Sequence, residues 1–144
     1  MADIKTPQER SYNMSRIRGV DTKPEMLVRK FLFAHGFRYR LHDKKLPGKP
    51  DLVLPKYKTV IFVNGCFWHG HDGCKYFVIP RTRREFWLSK INRTKEIDLQ
   101  NYKLLSDMGY RVLTIWECEL KTSELREQNL TKLVSVLSES SACN

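Results

Sequence analysis

The residue types that could carry chemistry are concentrated between Gly48 and Cys74. This stretch holds two histidines, two cysteines, two adjacent aromatic residues and a Pro-Asp pair. Part of it has the spacing Cys66-x4-His71-x2-Cys74, with glycines before and within the run that let a loop curl around one ion. Thiolate sulfur and imidazole nitrogen are the usual ligands of structural zinc. We therefore predict that this loop binds a zinc ion.

A fourth zinc ligand has to come from elsewhere, and Cys118 follows the last predicted strand. Strand ends lie close together at the edge of a sheet, so three thiolates and one imidazole could form a tetrahedral site. The ion would also explain how a glycine-rich loop with little apolar content keeps its shape. The alternative is that Cys118 is an ordinary buried thiol and that packing holds the loop. Cys143 is expected to be a free thiol.

A second metal site is predicted around Asp51, which follows Pro50 and opens a strand. Nucleases that use Mg²⁺ need a carboxylate on a rigid strand end, because this cation prefers oxygen ligands in octahedral geometry. A backbone carbonyl of the adjacent strand could add a ligand, and Glu25 of the first helix could act through a water molecule. The alternative for a lone Pro-Asp pair is a simple turn.

His69 is a candidate proton carrier, provided that His71 is the zinc ligand. Asp98, on a predicted long helix, could orient the imidazole by a hydrogen bond, as carboxylates do for other catalytic histidines. The alternatives for His69 are a further zinc ligand or a surface histidine.

Aromatic and basic residues surround these candidates. The adjacent pair Phe67-Trp68, together with Trp87, could wedge into a stack of bases, although burial in the core is the alternative. The chain has 26 Lys and Arg against 16 Asp and Glu, a net charge of +10. The basic residues occur in bursts on both sides of the central stretch, which favours a nucleic-acid partner over a protein that is merely basic.

The elements that position these residues follow from the apolar pattern. Thr22 is a helix N-cap with Glu25 three residues later. The buried residues of the long helix are expected to be Phe86, Ile91, Ile97, Leu104 and Leu105. An order of helix, three strands, long helix, strand and helix predicts a mixed β-sheet flanked by helices. The predicted elements are helix 22–36, strands 37–41, 51–54 and 59–63, helix 83–108, strand 110–116 and helix 125–137.

The 144 residues fit one domain. We predict a single folded domain over residues 21–138, an N-terminal arm over residues 1–20 that becomes ordered on a partner, and a flexible tail over residues 139–144. No apolar run is long enough for a membrane span, so a cytoplasmic protein is expected.

The sequence resembles the very short patch repair (Vsr) DNA mismatch endonucleases. The resemblance is carried by RSYNMSRIRGVDTKPE, LPGKPDLVLPKYKTVIFVNGCFWHGHDGC, PRTRREFW and GYRVLTIWECEL. It implies a fold related to the type II restriction endonucleases, of the PD-(D/E)xK class. It also implies a structural zinc ion and a Mg²⁺-dependent nick 5′ to the mispaired thymine of a T:G mismatch, which arises by deamination of 5-methylcytosine.

The resemblance also implies roles for particular residues. Asp51 would be the metal-binding carboxylate, His69 the catalytic histidine and Asp98 its partner, with Glu25 close by. The implied zinc ligands are Cys66, His71, Cys74 and Cys118, and the implied DNA-contacting residues are Phe67, Trp68, Trp87, Met14, Arg16, Arg18, Lys49 and Arg83.

The chain departs from the family pattern at Val63-Asn64, where Thr-His is typical. Val63 can still offer its backbone carbonyl to Mg²⁺, whereas Asn64 forms hydrogen bonds but carries no proton near neutral pH. The zinc loop is also one residue longer, at Gly73.

Two other functions are compatible with the same residues. One is a nicking or restriction-type endonuclease of the same fold with another specificity, and the other is a zinc-stabilised mismatch-binding protein without catalysis. The expected partner is duplex DNA with a T:G mismatch. A mismatch-repair coupling protein is a further candidate partner, and the enzyme is expected to be a monomer that associates with the bacterial nucleoid when it acts.

Overall fold

The computed structural model describes residues 22–142, with side chains described to residue 139. Its elements occur in the predicted order of helix, three strands, long helix, strand and helix. Two short 3₁₀ helices, Pro55–Tyr57 and Glu117–Leu120, follow the second and fourth strands. The main elements are α1 (Lys23–Ala34), β1 (Arg40–Leu41), β2 (Leu52–Leu54), β3 (Thr59–Asn64), α2 (Arg84–Asp107), β4 (Arg111–Trp116) and α3 (Ser123–Ala142).

The four strands form one mixed sheet in the order β1-β2-β3-β4, which confirms the predicted sheet type. β2 is antiparallel to its neighbours β1 and β3, and β3 and β4 are parallel. The start of β2 therefore lies beside the end of β3. The ends of β3 and β4 are also adjacent, with Asn64 opposite Trp116. Asp51 and the segments that follow β3 and β4 thus come together at one end of the sheet.

Successive strand residues point to opposite faces of the sheet, and both faces are apolar and covered by helices. On one face, Leu52, Leu54 and Ile61 pack against α1 and α3. On the other face, Val53, Val60 and Phe62 form a second core cluster that includes Leu105 of α2. The result is a three-layer α/β/α arrangement. The end of the sheet where β2 begins therefore lies between α1, in one helical layer, and α2, in the other.

The predicted burial of α2 is wrong at three positions. Phe86, Ile97 and Leu104 are 43%, 43% and 51% exposed, whereas Ile91 and Leu105 are buried as predicted. Orientation around the helix axis explains the difference. At about 3.6 residues per turn, Phe86, Ile97 and Leu104 lie more than about 100° around the axis from buried Ile91, so their side chains point away from the sheet.

Element ends also differ from the prediction. The segment 37–41 pairs as a strand only at Arg40–Leu41, and α3 continues to Ala142, beyond the predicted end at Leu137. The predicted arm, 1–20, lies outside the described residues, so the domain boundaries stay a prediction. Among residues 22–142, no helix combines the length and apolar composition that a membrane span requires.

Candidate active site and metal centre

A cavity of about 420 Å³ opens at the end of the sheet where β2 begins and β3 ends. Its lining includes Glu25 from α1, Asp51 from the start of β2 and His69 from the loop after β3. Val63 and Asn64, at the end of β3, also line it. The predicted acidic residue and the predicted histidine therefore face the same space, although 18 positions separate them in the sequence.

Asp51 is held at the wall of this cavity by the neighbouring strand. Its Oδ2 atom accepts a 2.7 Å hydrogen bond from the backbone N–H of Val63. The pKa of Asp51 is raised from 3.8 to about 6, chiefly by burial and also by the negative charge of Glu25, against the lowering effect of the Val63 hydrogen bond. A cation would stabilise the charged carboxylate at this position. The carbonyl of Val63 as a metal ligand stays a prediction.

Glu25 is only 1% exposed, although it carries a charge. Thr22 caps α1 as predicted, because its side-chain oxygen accepts the N–H of Glu25 at 3.4 Å. The Oε2 atom of Glu25 lies 2.6 Å from Nε2 of His42 and 3.4 Å from Nη1 of Arg29. The side chains of Glu25, His42 and Asp51 each offer a ligand atom, and these atoms all lie within 4.8 Å of one another.

The predicted pair of His69 and Asp98 is formed. Nδ1 of His69 lies 2.7 Å from Oδ2 of Asp98, across the gap between the loop and α2. Asn64 is buried, and its Nδ2 atom donates to the Tyr102 hydroxyl at 3.2 Å. Burial raises the pKa of Tyr102, and its hydroxyl oxygen, as the acceptor of this bond, holds the Asn64 amide in place.

The four predicted zinc ligands converge, and their ligand atoms lie within 4.8 Å of one another. Sγ of Cys118 is 3.5 Å from Nδ1 of His71. Two such ligands of a tetrahedral zinc ion should lie about 3.5 Å apart, given the usual bond lengths, so the geometry fits zinc. Burial raises the pKa of Cys66 to about 12 without a metal, and a bound cation would replace the thiol proton. Parallel pairing of β3 and β4 brings Cys118 to the loop, as expected from the strand ends.

Two contacts outside the predicted ligand set hold the metal loop. The His71 ring stacks on Trp116, with centroids 4.0 Å apart and planes 2° from parallel. Nζ of Lys95, on α2, lies 2.7 Å from Oδ1 of Asp72. These contacts connect the loop to β4 on one side and to α2 on the other.

The predicted aromatic residues form one half-buried cluster beside the cavity. The ring of Phe67 lies 5.1 Å from that of Trp68 and 5.4 Å from that of Trp87, and Trp68 also lines the cavity. Lys90 lies over Trp87 at 5.7 Å and lines the same cavity. Partial exposure contradicts the alternative of full burial in the core.

Basic residues extend from this cluster over the surface. Arg83 is exposed and lies 4.2 Å over the Phe86 ring, and Lys49 is exposed at the cavity. The predicted DNA contacts Met14, Arg16 and Arg18 lie outside the described residues.

Sequence reasoning did not identify His42, Tyr102 or Lys90 as site residues. His42 and Tyr102 belong to segments that carry no metal or nuclease motif, and they reach the site only through the packing of the sheet and α2. Lys90 belongs to one of the basic clusters of the sequence. Its position about one helical turn after Trp87 is the sequence feature that could have placed it beside the aromatic residues.

A carboxylate on a strand end, an oriented imidazole and a Cys/His centre on one mixed α/β fold suit metal-assisted phosphodiester hydrolysis. The family described as "DNA mismatch endonuclease Vsr" matches residues 2–75. The chain belongs to this Vsr family of DNA mismatch endonucleases.

Three relatives extend the match over nearly the whole chain. A type II nicking enzyme of Neisseria meningitidis, V.NmeAIP, is 50% identical over 93% of this chain and 95% of its own length. A type II nicking enzyme of Xanthomonas oryzae, V.XorIIP, is 40% identical over 93% of this chain and 98% of its own length. The DNA mismatch endonuclease Vsr of Escherichia coli K12 is 43% identical over 92% of this chain and 85% of its own length.

Proposed function

We propose that this protein is a Mg²⁺-dependent endonuclease that nicks duplex DNA 5′ to the mispaired thymine of a T:G mismatch formed by deamination of 5-methylcytosine. The observation that carries the proposal is the shared cavity of Asp51 and His69, because nicking needs a metal-binding carboxylate and a proton carrier at one phosphodiester. The name of the Escherichia coli relative supports mismatch as the substrate feature. A restriction-endonuclease-like fold is part of the proposal.

The residues at the cavity suit Mg²⁺. Asp51 and Glu25 supply carboxylate oxygens, and the Val63 carbonyl is a third candidate ligand, which together match the oxygen preference of this ion. When bound, Mg²⁺ would offset the negative charge that builds on the scissile phosphate. The Val63 N–H holds one oxygen of Asp51, which orients the carboxylate toward the cavity before any ion binds.

His69 is proposed to move the proton. Asp98 engages Nδ1, so Nε2 is the nitrogen that accepts a proton from the attacking water or returns one to the leaving oxygen. Asn64 cannot take part in this transfer. Its amide, fixed by Tyr102, is suited to hold a water molecule or a phosphate oxygen by hydrogen bonds.

The aromatic cluster is proposed to recognise the mismatch. Phe67, Trp68 and Trp87 would unstack the step beside it, which costs less at a T:G wobble than at a matched pair. Lys49 and Arg83 would neutralise phosphates and bring the duplex to the cavity.

The arm over residues 1–20 is proposed to close over the DNA. A mismatch-repair coupling protein is a further proposed partner. The active form is proposed to be a cytoplasmic monomer.

The Cys/His centre is proposed to hold structural zinc. Purified protein should contain one zinc ion per chain, and Cys118→Ser should lower both the zinc content and the stability, because the site closes the loop onto β4. Cys143→Ser is the matched control and should change neither. Full stability of the zinc-free protein would contradict the structural role.

Nicking is tested directly on labelled duplexes that differ only in one base pair and its neighbours. We expect a Mg²⁺-dependent nick in the thymine strand of the T:G duplex and little cleavage of matched DNA. Asp51→Ala should abolish it, whereas Asp107→Ala, at an exposed position of α2, should not. A folded Asp51→Ala protein that nicks normally would refute the role of Asp51. Tight, Mg²⁺-independent binding without a strand break would indicate a mismatch-binding protein.

A second candidate is a nicking enzyme of the same fold with another specificity. It is favoured by the names of the Neisseria and Xanthomonas relatives, both type II nicking enzymes. Comparable nicking of matched and mismatched duplexes on the same panel would select it.

A further inference from the structure

His42 approaches the cation site without belonging to any predicted motif. It follows β1 directly, and its backbone N–H donates to the carbonyl of Asp51 at 3.1 Å. Its φ of +48° is uncommon for a residue with a side chain. This backbone places Nε2 at 2.6 Å from Oε2 of Glu25. His42 therefore contacts both acidic residues of the site, Asp51 through its backbone N–H and Glu25 through its imidazole.

The three side chains have the dimensions of a metal site. Their ligand atoms lie within 4.8 Å of one another, while opposite ligands of an octahedral divalent ion lie about 4.2 Å apart. Nε2 of His42 and Oε2 of Glu25, now 2.6 Å apart in a hydrogen bond, would separate to about 3 Å, the spacing of adjacent octahedral ligands, and the metal ion would replace the shared proton, which leaves to solvent. Two buried carboxylates that face each other also repel, and a shared cation removes that repulsion.

We propose that His42 is a direct metal ligand and that Glu25, His42 and Asp51 together bind a divalent transition-metal ion of the Mn²⁺ type more tightly than Mg²⁺. The inference rests on the proposed function in that it takes Asp51 as a metal ligand. An imidazole nitrogen contributes little to Mg²⁺ binding, since this ion selects oxygen, but it strengthens binding of first-row transition metals. The chain would then favour Mn²⁺ over Mg²⁺ more strongly than an all-oxygen site does.

The competing role for His42 is to hold Glu25 by a hydrogen bond without touching the ion. Glutamine distinguishes the two roles, because its amide can still donate to Glu25 but offers no imidazole nitrogen. A nitrogen bound directly to Mn²⁺ gives a hyperfine coupling in pulsed electron paramagnetic resonance, and a histidine in the outer sphere does not give the same coupling. The readout is therefore independent of nicking activity.

The experiment adds Mn²⁺ to the full-length, zinc-loaded protein and records both affinity and nitrogen coupling. We expect wild-type protein to show a histidine nitrogen on bound Mn²⁺. His42→Gln should lose this coupling and bind Mn²⁺ at least about tenfold more weakly, with a smaller change for Mg²⁺. His35→Gln is the matched control: His35 is exposed and bonded to the Phe31 carbonyl, so its loss should change neither quantity.

His69→Gln keeps the proposal testable if the His42 variant does not fold. The chain has four histidines, one of which is a predicted zinc ligand, so nitrogen coupling that survives in His69→Gln and His35→Gln supports His42. Coupling that survives in His42→Gln, or that disappears in His69→Gln, overturns the proposal. Mn²⁺ bound through oxygen alone overturns the role of His42 but not that of Asp51, whereas no binding by wild-type protein overturns both.

Discussion

At the scale of single residues, the acidity of Asp51 is set by its position between β2 and β3. Burial raises its pKa from 3.8 to about 6, so the folded protein keeps a proton that the unfolded chain has already released between about pH 4 and pH 6. Stability in the absence of a metal therefore falls as the pH rises through this window and stays at the lower level above it. The free-energy cost of the charged carboxylate is a physical reason to expect that a cation would bind at this site.

Because stability in the absence of a metal falls when Asp51 becomes charged, we can make a prediction for Asp51→Asn. The amide can still accept the Val63 N–H bond but carries no charge. The free energy of unfolding at pH 7.5 should therefore rise by about 2 kcal/mol in Mg²⁺-free buffer, since one pKa unit corresponds to about 1.4 kcal/mol and partial exposure reduces the effect. Urea unfolding at pH 5 and pH 7.5 should give a smaller gain at pH 5. Asp107→Asn is the exposed control, and a loss of stability in Asp51→Asn at pH 7.5 would contradict the argument.

A second prediction at this scale concerns the orientation of His69. Asp98→Asn removes the negative charge that stabilises the imidazolium form and fixes the ring, so the nicking rate should fall by about 10²-fold. Affinity for the T:G duplex should change little, because Asp98 faces the histidine and not the half-buried aromatic cluster. Asp107→Asn, at an exposed position of the same helix, is the control. Single-turnover rates together with the pH profile measure the effect, and an unchanged rate would remove Asp98 from the mechanism.

At the scale of elements, the loop between β3 and α2 carries both the candidate proton carrier and three of the four predicted zinc ligands. His69 and His71 point to different sites, and Gly70 separates them with a φ of +61°. A Cβ atom at Gly70 would lie 2.6 Å from Cε of Lys95 and 2.7 Å from Cγ2 of Ile91. The loop therefore contacts α2 so closely at this point that only glycine fits.

Two glycines of this loop allow a matched test. Gly70→Ala should lower the free energy of unfolding by about 3 kcal/mol, from strain at positive φ and from overpacking against buried Ile91. Gly73→Ala has the same kind of strain, at φ +74°, but no atom within 4 Å of the new methyl group, so about 1 kcal/mol is expected. Urea unfolding of the zinc-loaded proteins measures both. Equal losses would show that close packing at Gly70 contributes nothing.

At the scale of the whole molecule, part of the positive charge of a chain with net charge +10 lies at the same end of the sheet as the cavity and the Cys/His cluster. Lys49 and Lys90 line the cavity, and Arg83 immediately precedes the helix that carries Trp87. A polyanion attracted by this charge is therefore delivered to the aromatic cluster and the acidic residues together.

The salt dependence of DNA binding tests this arrangement. Each phosphate contact contributes about 0.9 to the slope of log K against log salt concentration, so Lys90→Ala should reduce the slope by about 1. Lys132→Ala, at an exposed position of α3 on the other side of the sheet, should leave the slope unchanged. Titrations of a labelled T:G duplex between low and moderate salt give both slopes, and identical slopes for the two variants would place the DNA elsewhere.

The sequence by itself determined the features that depend on residues near one another in the chain. The N-cap at Thr22, the end of α2 before Gly109 and the order of elements follow from local backbone preferences and apolar spacing. The Cys66-x4-His71-x2-Cys74 spacing indicated the candidate metal-binding loop for the same reason. Asp51 and His69 were recognisable because each lies in a short motif, and Asp98 was a candidate partner for His69 that the family resemblance also implied.

Only the tertiary structure decided which distant residues share the site. The contact between His42 and Glu25, and that between Asn64 and Tyr102, join segments 17 and 38 positions apart. The exposure of Ile97 and Leu104 depends on which side of α2 the sheet covers, although both residues are apolar. Such contacts depend on the pairing of strands and the packing of layers, which many residues decide jointly, so no local pattern carries the information.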